Sequence, residues 1–266
     1  MNSVQRNPVV GVLVTHNSQQ FLVELLDSID SQTRPLDQLI VIDDNSTDST
    51  RSILSERGIT AIASTSAATD PSTRIASNFL QGVRCAPPES IVILGDHDDT
   101  WLPNRVEHQS HMMASFPQAA MLASDGYTTN STNSTNSTNP TLRSTFPVPA
   151  HWSELTRRAQ FTYAVKHSIA TGGASAVRPS RLPATIPTGW LHDRWWSLAA
   201  VSKKAMVLDS VPVINYRISP SQQVGLDTQA QHQGTKDWVR HHVGNAGRSI
   251  KRSADLAFLL TGRLNK

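Results

Sequence analysis

Val9-Val10-Gly11-Val12-Leu13-Val14 is an unbroken apolar, β-branched run, the pattern of a strand buried on both faces. It ends in Thr15-His16-Asn17-Ser18, a polar loop rich in helix-capping residues. Phe21, Leu22, Leu25, Leu26 and Ile29 then recur at helical spacing. A second apolar run, Leu39-Ile40-Val41-Ile42, leads into Asp43-Asp44-Asn45-Ser46-Thr47-Asp48. Strand, helix and strand in that order predict a βαβ unit, and in such sheets ligands bind in the loops after the strand ends.

The pattern continues with a helix predicted over 47–57, stopped by Gly58, and a third strand over 59–63. Residues 73–84 read as a helix with Ile75, Phe79 and Val83 on one face. Ile91-Val92-Ile93-Leu94 is a buried strand that runs straight into Gly95-Asp96-His97-Asp98-Asp99, with a helix expected to start near Pro103. Met121 to Ser124 reads as a short strand, 169–177 as a strand or loop-strand, 190–201 as a helix and 207–214 as a strand entering Asn215-Tyr216-Arg217. Between them, Asn130 to Asn139 repeats Ser-Thr-Asn, which predicts a flexible loop over 128–141. The expected class is α/β, in a chain of 266 residues that suits one large domain with an appendage.

Composition narrows the partners. Hydrophobic residues make up 38% and charged residues 17%, so a packed core is expected. The single Cys85 excludes an internal disulfide framework and fits a packing role in a reducing compartment. Met1 to Pro8 lacks the apolar centre of a signal peptide, and no run of about 18 apolar residues occurs, so a cytoplasmic protein is expected. Residues 231–266 hold seven Lys or Arg against two Asp, a balance of +5, while the other 230 residues carry −2. Trp238, Val239, Val243, Ala246, Ile250 and Phe258 among these basic residues could form an amphipathic stripe for the inner face of an anionic membrane, or could dock on the core. No nucleic-acid-reading motif accompanies the basic residues, so nucleic acid is not expected as a partner.

Three carboxylates within Asp96-His97-Asp98-Asp99 repel one another unless a cation or hydrogen-bond donors offset them. Asp96 and Asp98 at i, i+2 suit one hard divalent ion, Mg²⁺ or Mn²⁺, bridging to substrate phosphates. Taken alone the segment also fits an acidic turn with N-capping aspartates. Asp43-Asp44-Asn45-Ser46 likewise fits either a helix cap or the polar rim of a nucleotide pocket. Two acidic strand-end loops in one sheet favour a binding site.

The order of these pieces resembles the family 2 glycosyltransferases of GT-A fold, through Val14-Thr15-His16-Asn17, Leu25 to Gln32, Ile40 to Asp48 and Leu94 to Arg105. Trp101-Leu102-Pro103-Asn104-Arg105 and Ser77-Asn78-Phe79 resemble the rhamnosyltransferase-like branch. The resemblance spans about residues 8–220, dense over 9–109 and thin over 110–185. It implies a GT-A (Rossmann-like) mixed, mostly parallel sheet flanked by helices over 1–225, with a donor half at about 8–110, an acceptor half at about 111–225, and a basic helical tail over 226–266.

Position by position, the resemblance implies that Thr15, Asn17, Asp43, Asp44, Arg74, Asn78, Asp96 and His97 contact the nucleotide sugar. Asp96, Asp98 and Asp99 would serve the metal, with Asp98 the direct ligand and Asp99 assisting or orienting a sugar hydroxyl. Leu191-His192-Asp193-Arg194-Trp195-Trp196 resembles the segment that supplies the base, which would be Asp193; the residue also fits a helix cap or an ion pair with Arg194. Trp101, His192, Trp195 and Arg217 would touch acceptor or sugar; Trp190, Trp195 and Trp196 could stack on sugar faces or pack, with packing favoured for at least one of the three. Two departures stand out. Ser219-Pro220-Ser221 replaces the His that related sequences often place after the Tyr-Arg element, and Asp70-Pro71-Ser72 replaces the usual Gly before the donor helix.

The implied activity is inverting, metal-dependent sugar transfer from a dTDP- or UDP-sugar to a glycan or lipid-linked acceptor in cell-surface polysaccharide or glycolipid assembly, with rhamnose the sugar that the branch resemblance suggests. A sugar-phosphate nucleotidyltransferase would need a Gly-rich, basic loop after the first strand, where Thr15-His16-Asn17-Ser18 stands. A non-catalytic nucleotide-sugar binding protein is the other alternative, favoured by the two departures.

Overall fold

The computed structural model describes residues 6–130, 148–218 and 246–261 and divides the chain into two units, Met1–Arg217 and Ile218–Lys266. The first unit is built on β1 (Val9–Thr15), whose seven residues are all buried. It is the innermost of four parallel strands, flanked by β2 (Gln38–Asp43) and β4 (Ile91–Asp96), with β3 (Ile62–Ala63) outside β2. Burial on both faces is why these strands read as continuous Val, Ile and Leu runs.

Past β4 the sheet changes direction. β7 (Ser175–Val177) pairs antiparallel with β4 and with β6 (Met121–Asn130). β5 (Thr100–Trp101) pairs antiparallel with β8 (Met206–Ile218), completing the order β3-β2-β1-β4-β7-β6-β8-β5. The mixed sheet that the resemblance implies is thus present, with β3, β2, β1 and β4 as its parallel half rather than a mostly parallel sheet. Its helices are α1 (Leu22–Asp30), α2 (Thr50–Glu56), α3 (Pro71–Cys85), α4 (Arg105–Ser115), α5 (Arg157–Lys166) and α6 (His192–Ser202). Leu22, Leu25, Leu26 and Ile29 are the buried stripe of α1, matching the helical spacing in the sequence.

Several boundaries differ from expectation for local reasons. α2 starts at Thr50 rather than Thr47, because the Asn17 side chain accepts the Thr47 N–H (2.9 Å) and Asp48 accepts the Thr50 N–H (3.0 Å). α3 starts earlier, because Asp70 accepts hydrogen bonds from the backbone and hydroxyl of Thr73 and Pro71 occupies the first turn. The departure Asp70-Pro71-Ser72 is therefore a helix start with its own cap. The segment 169–177 resolves into a tight turn, Gly172–Ala174, followed by β7. β6 carries the predicted 121–124 strand on to Asn130, so residues 128–130 of the expected flexible loop are strand.

The rest of the Ser-Thr-Asn repeat, Ser219-Pro220-Ser221, and Trp238, Val239 and Val243 lie outside the described residues. In the second unit, Ala246–Thr261 forms helix α7, with Leu260 exposed. Among the described residues no helix is long and apolar enough to cross a membrane.

Leu13 is fully buried at the centre of β1, between strands on both sides. Leu13→Ala is expected to lower the unfolding free energy by about 2–5 kcal/mol, the range for a buried leucine that leaves a cavity. Urea denaturation checks this, and a loss far below that range would mean that β1 is not the core strand.

Candidate active site

The strand register sets the site. Thr15 pairs with Asp43 and Val14 pairs with Asp96, so the three parallel strands end flush and present their polar residues on one edge. Thr15 donates its hydroxyl to Asp43 (3.1 Å), and the Asp44 N–H donates to the Thr15 carbonyl (2.8 Å). Asp43 is 1% exposed and also accepts from the Ser46 hydroxyl (2.5 Å) and from Arg51 Nε (2.7 Å). Burial alone would raise its pKa, but the bonds from Ser46, Arg51 and Thr15 together outweigh burial and hold the carboxyl below its ordinary range. Asp44 is ion-paired with Arg74 Nε at 2.9 Å. Asn78 is fully buried in α3; its Oδ1 accepts from the Ser64 hydroxyl (2.5 Å), while its Nδ2 has no protein partner. Asn17 adopts the left-handed conformation (φ 49°), so its backbone N–H reaches Ser46 Oγ and its side chain accepts from Thr47. Thr15, Asn17, Asp43, Asp44, Arg74 and Asn78 are thus linked by short contacts along the β1 and β2 ends and the start of α3.

The acidic motif continues that edge. Asp98 and Asp99 are buried, Asp96 and His97 half-buried. Asp99 Oδ1 accepts the Arg217 backbone N–H (2.9 Å), but its Oδ2 is buried with no partner. Burial, then the charges of Asp98 and Asp193, push Asp96 up to about 7. Burial, then the charges of Asp98 and Asp96, push Asp99 well above the carboxylate range. Burial lowers His97, whose Nδ1 is also buried and unpartnered. Orphaned carboxylate oxygen and raised pKa values are what an acidic cluster shows when it lacks a cation, so the donor set fits a hard divalent ion. Among the described residues, however, no three His, Cys, Asp or Glu side chains converge into a complete cage. Asp96, Asp98 and Asp99 alone therefore do not make a preformed cage, and an ion held there would need further ligands.

Two features whose role the sequence does not show lie against this cluster. Arg105, fully buried at the start of α4, donates to the Leu94 carbonyl (2.6 Å) and to Gln109 (3.2 Å), and stacks 4.2 Å over Trp101. Burial pushes it down to about 9 against the raising charges of Asp99 and Asp96, so it is a cation at neutral pH beneath them. Its place in Leu102-Pro103-Asn104-Arg105 was the available signal, though an arginine at a helix start reads as surface. The second feature is the Gly172-Gly173 turn, which packs against both Asp96 and Asp99.

Across the turn lies Asp193, in the first turn of α6. Its Oδ2 accepts the Gly172 N–H (3.2 Å) and its Oδ1 accepts the Arg194 N–H (2.6 Å). The Arg194 guanidinium reaches the carbonyls of Val165 and His167. Asp193 and Asp96 are close enough to interact electrostatically. His192, Trp101 and Trp195, expected at the sugar, are 4%, 3% and 2% exposed and pack instead. His192 stacks on Phe79 (3.9 Å) and meets Trp196 edge-on, and burial lowers it to about 4, so it is neutral at physiological pH. His192 and Asp193, adjacent in the chain, do not pair: the ring turns into the core and the carboxylate turns to Gly172. Trp101 lies under Arg105, and Trp195 lies against Trp190 with its indole N–H on the Thr185 carbonyl. Arg217 stacks on Phe21 (4.5 Å) and pairs with Glu24 (2.7 Å).

A mixed Rossmann-like sheet with acidic residues at the ends of its parallel strands is the fold of a GT-A glycosyltransferase. The sequence profile described as "Glycosyl transferase family 2" matches residues 12–181. The chain belongs to that family. No curated protein matches it at a significant level. Among solved structures, the fold is similar to TarS 1-349 of S. aureus in complex with UDP, at TM-score 0.56 and 13% identity, over 97% of this chain and 82% of that one. The UDP-GlcNAc complex of TarS 1-349 is similar at TM-score 0.55 and 14% identity, over 95% and 71%. Glucosyl-3-phosphoglycerate synthase from Mycobacterium tuberculosis with Mn²⁺ and UDP-glucose is similar at TM-score 0.53 and 15% identity, over 81% and 73%.

The raised Asp96 pKa fixes a pH signature. A folded pKa of about 7 lies above the unfolded value, so the folded state holds this proton more tightly. That stability is fully present below about pH 4 and is lost as pH rises through about 7. Asp96→Asn cannot acquire the charge. In EDTA, the Tm of D96N relative to wild type is therefore expected to rise from about pH 5 to about pH 8. A constant offset across that range would show that Asp96 does not titrate there.

Proposed function

We propose that the chain is an inverting glycosyltransferase that moves a sugar from a nucleoside-diphosphate donor to an acceptor hydroxyl, with Asp193 as the base. The observation that carries this reading is the placement of Asp193 across the Gly172-Gly173 turn from Asp96 and Asp99. Base and diphosphate-side carboxylates face one another over one small region, as a single displacement requires. Asp193 takes the proton of the acceptor hydroxyl as its oxygen bonds to the anomeric carbon, and the bond to the diphosphate oxygen breaks with its electrons on the leaving group. Thr15, Asn17, Asp43, Asp44, Arg74 and Asn78 hold the nucleotide end, with His97 beside the diphosphate. Mg²⁺ or Mn²⁺, held by Asp96, Asp98 and Asp99 with the donor's own phosphates, would offset charge on that leaving group.

The Mn²⁺ and UDP-glucose of the mycobacterial structure and the UDP of TarS support a divalent ion and make UDP-sugars the first donors to test. dTDP-rhamnose is the next, on the resemblance of Trp101 to Arg105 to the rhamnosyltransferase-like branch. A glycan or lipid-linked acceptor in cell-surface polymer or glycolipid assembly follows from the same resemblance. The basic tail and the exposed Leu260 of α7 support a cytoplasmic enzyme held at the periphery of an anionic membrane.

A donor screen with Mg²⁺ and Mn²⁺ tests the reading, with Asp98→Ala as control. Once a donor turns over, Asp193→Asn is expected to reduce kcat for transfer by about 10²- to 10⁴-fold, the usual worth of a positioned base. Near-full transfer by folded D193N would remove Asp193 from the role. For the tail, the full chain is expected to float with vesicles containing anionic lipid, and a chain ending near residue 230 to remain unbound. Equal partitioning would end the membrane reading.

A further inference from the structure

Gly172 and Gly173 are both buried, and neither has a positive φ, so their backbone conformation is open to any residue. What excludes a side chain is space. A Cβ on Gly173 would lie 2.7 Å from Asp96 Oδ2 and 2.8 Å from Asp99 Oδ2. A Cβ on Gly172 would overlap His192 Nε2 and lie 2.9 Å from His192 Cε1. The two positions therefore touch different neighbours, although they are adjacent in the chain.

Their backbone N–H groups divide the same way. Gly172 donates to Asp193 Oδ2 at 3.2 Å, and Gly173 donates to Asp96. The turn is anchored from below: Gln109 Nε2 donates to the Ala174 carbonyl (2.9 Å), Arg105 donates to Gln109, and Ser175 Oγ donates to the Thr171 carbonyl (2.6 Å). The turn is thus tied to α4 at Ala174 and closed on itself between Thr171 and Ser175, so what packs on it meets a held backbone. His192 completes the arrangement, for its ring lies on Gly172 and is fixed by Phe79 and Trp196.

We infer that Gly172 and Gly173 are separate positioning residues: Gly173 sets the Asp96 and Asp99 carboxylates that face the metal and diphosphate, and Gly172 sets the Asp193 base through its N–H and the His192 ring. The inference rests on the proposed roles of Asp193 and the acidic motif. It goes beyond them in assigning the spacing between the two to one two-residue turn with separable halves.

The test substitutes each glycine in the full chain and reads two quantities. One is Mn²⁺ affinity by calorimetry without donor, and the other is kcat and donor KM with the donor that the wild type turns over. Gly173→Ala is expected to weaken Mn²⁺ binding by about 10- to 100-fold, as for other displaced supports of a ligand. Gly172→Ala is expected to keep wild-type Mn²⁺ affinity and donor KM while kcat for transfer falls by about 100-fold, the scale of a misplaced reacting group. G172A that still binds Mn²⁺ has a folded site, so its kcat loss is not a folding loss. Two variants with the same profile, whether both impaired in both readouts or both unimpaired, would overturn the inference. Should G173A fail to fold, G172A decides: kcat loss at wild-type Mn²⁺ affinity supports the assignment, and loss of both overturns it. A wild-type chain that binds no Mn²⁺ would sink the metal reading instead. The kcat arm then decides the assignment, with G172A at wild-type kcat overturning it.

Discussion

Crowded negative charge at the end of β4 is the constraint around which the site is built. Asp96, Asp98 and Asp99 repel one another from buried or half-buried positions, and Asp193 adds its charge to that of Asp96. Two like charges about 4 Å apart repel by about 4 kcal/mol even at the effective dielectric of a protein surface. Several such pairs would rival the stability of a domain of this size. The fold answers in two ways. It places the Arg105 guanidinium beneath the cluster, locked to the Leu94 carbonyl and stacked on Trp101. Burial and the neighbouring charges also raise the pKa values of Asp96 and Asp99, which makes their charged forms harder to reach. Neither answer gives the buried Asp99 Oδ2 a partner, and that oxygen supports the proposed binding of a cation here.

The same constraint explains the division of the sheet. The parallel strands β2, β1 and β4 end level, so Asp43, Thr15 and Asp96 form one polar edge. On the β2 side the carboxylate is fully satisfied by Thr15, Ser46 and Arg51 and held ionised. On the β4 side it is not. One end of the edge is thus rigid and complete, suited to a fixed recognition task, and the other is electrostatically incomplete until something binds. The antiparallel β7, entered through the Gly172–Ala174 turn, closes over the incomplete end.

How much of this was legible in the sequence follows from how local each signal is. β1, β2 and β4 were legible because burial on both faces writes an unbroken apolar run. The acidic loops were legible because they follow those runs directly. Trp101, His192 and Trp195 were expected at the sugar because an aromatic or imidazole near an acidic motif carries a polar handle. Their burial depends on Arg105, Phe79, Trp196 and Trp190, which lie elsewhere in the chain and leave no local mark. Arg105 itself was hidden for the converse reason: a cation at a helix start looks solvated unless the carboxylates above it are known. The glycines at 172 and 173 were read only as part of a strand or loop-strand, since a requirement for space is visible only once the neighbours are in place.

His192 beside Asp193 shows how far sequence adjacency can mislead about chemistry. Side by side, an imidazole and a carboxylate suggest a relay in which the ring takes the proton and the acid steadies it. In α6 the two point apart, since the helix turns about 100° per residue. His192 goes inward, where burial makes its charged form unfavourable, so it has neither the basicity nor the access to accept a proton at physiological pH. If a proton is removed at this end of the site, the carboxylate removes it unaided, and its aim depends on whatever holds it. Its holders are the Gly172 N–H and the Arg194 N–H, and the His192 ring packs against Gly172. The histidine's contribution is then mechanical: it fixes the backbone that fixes the acid.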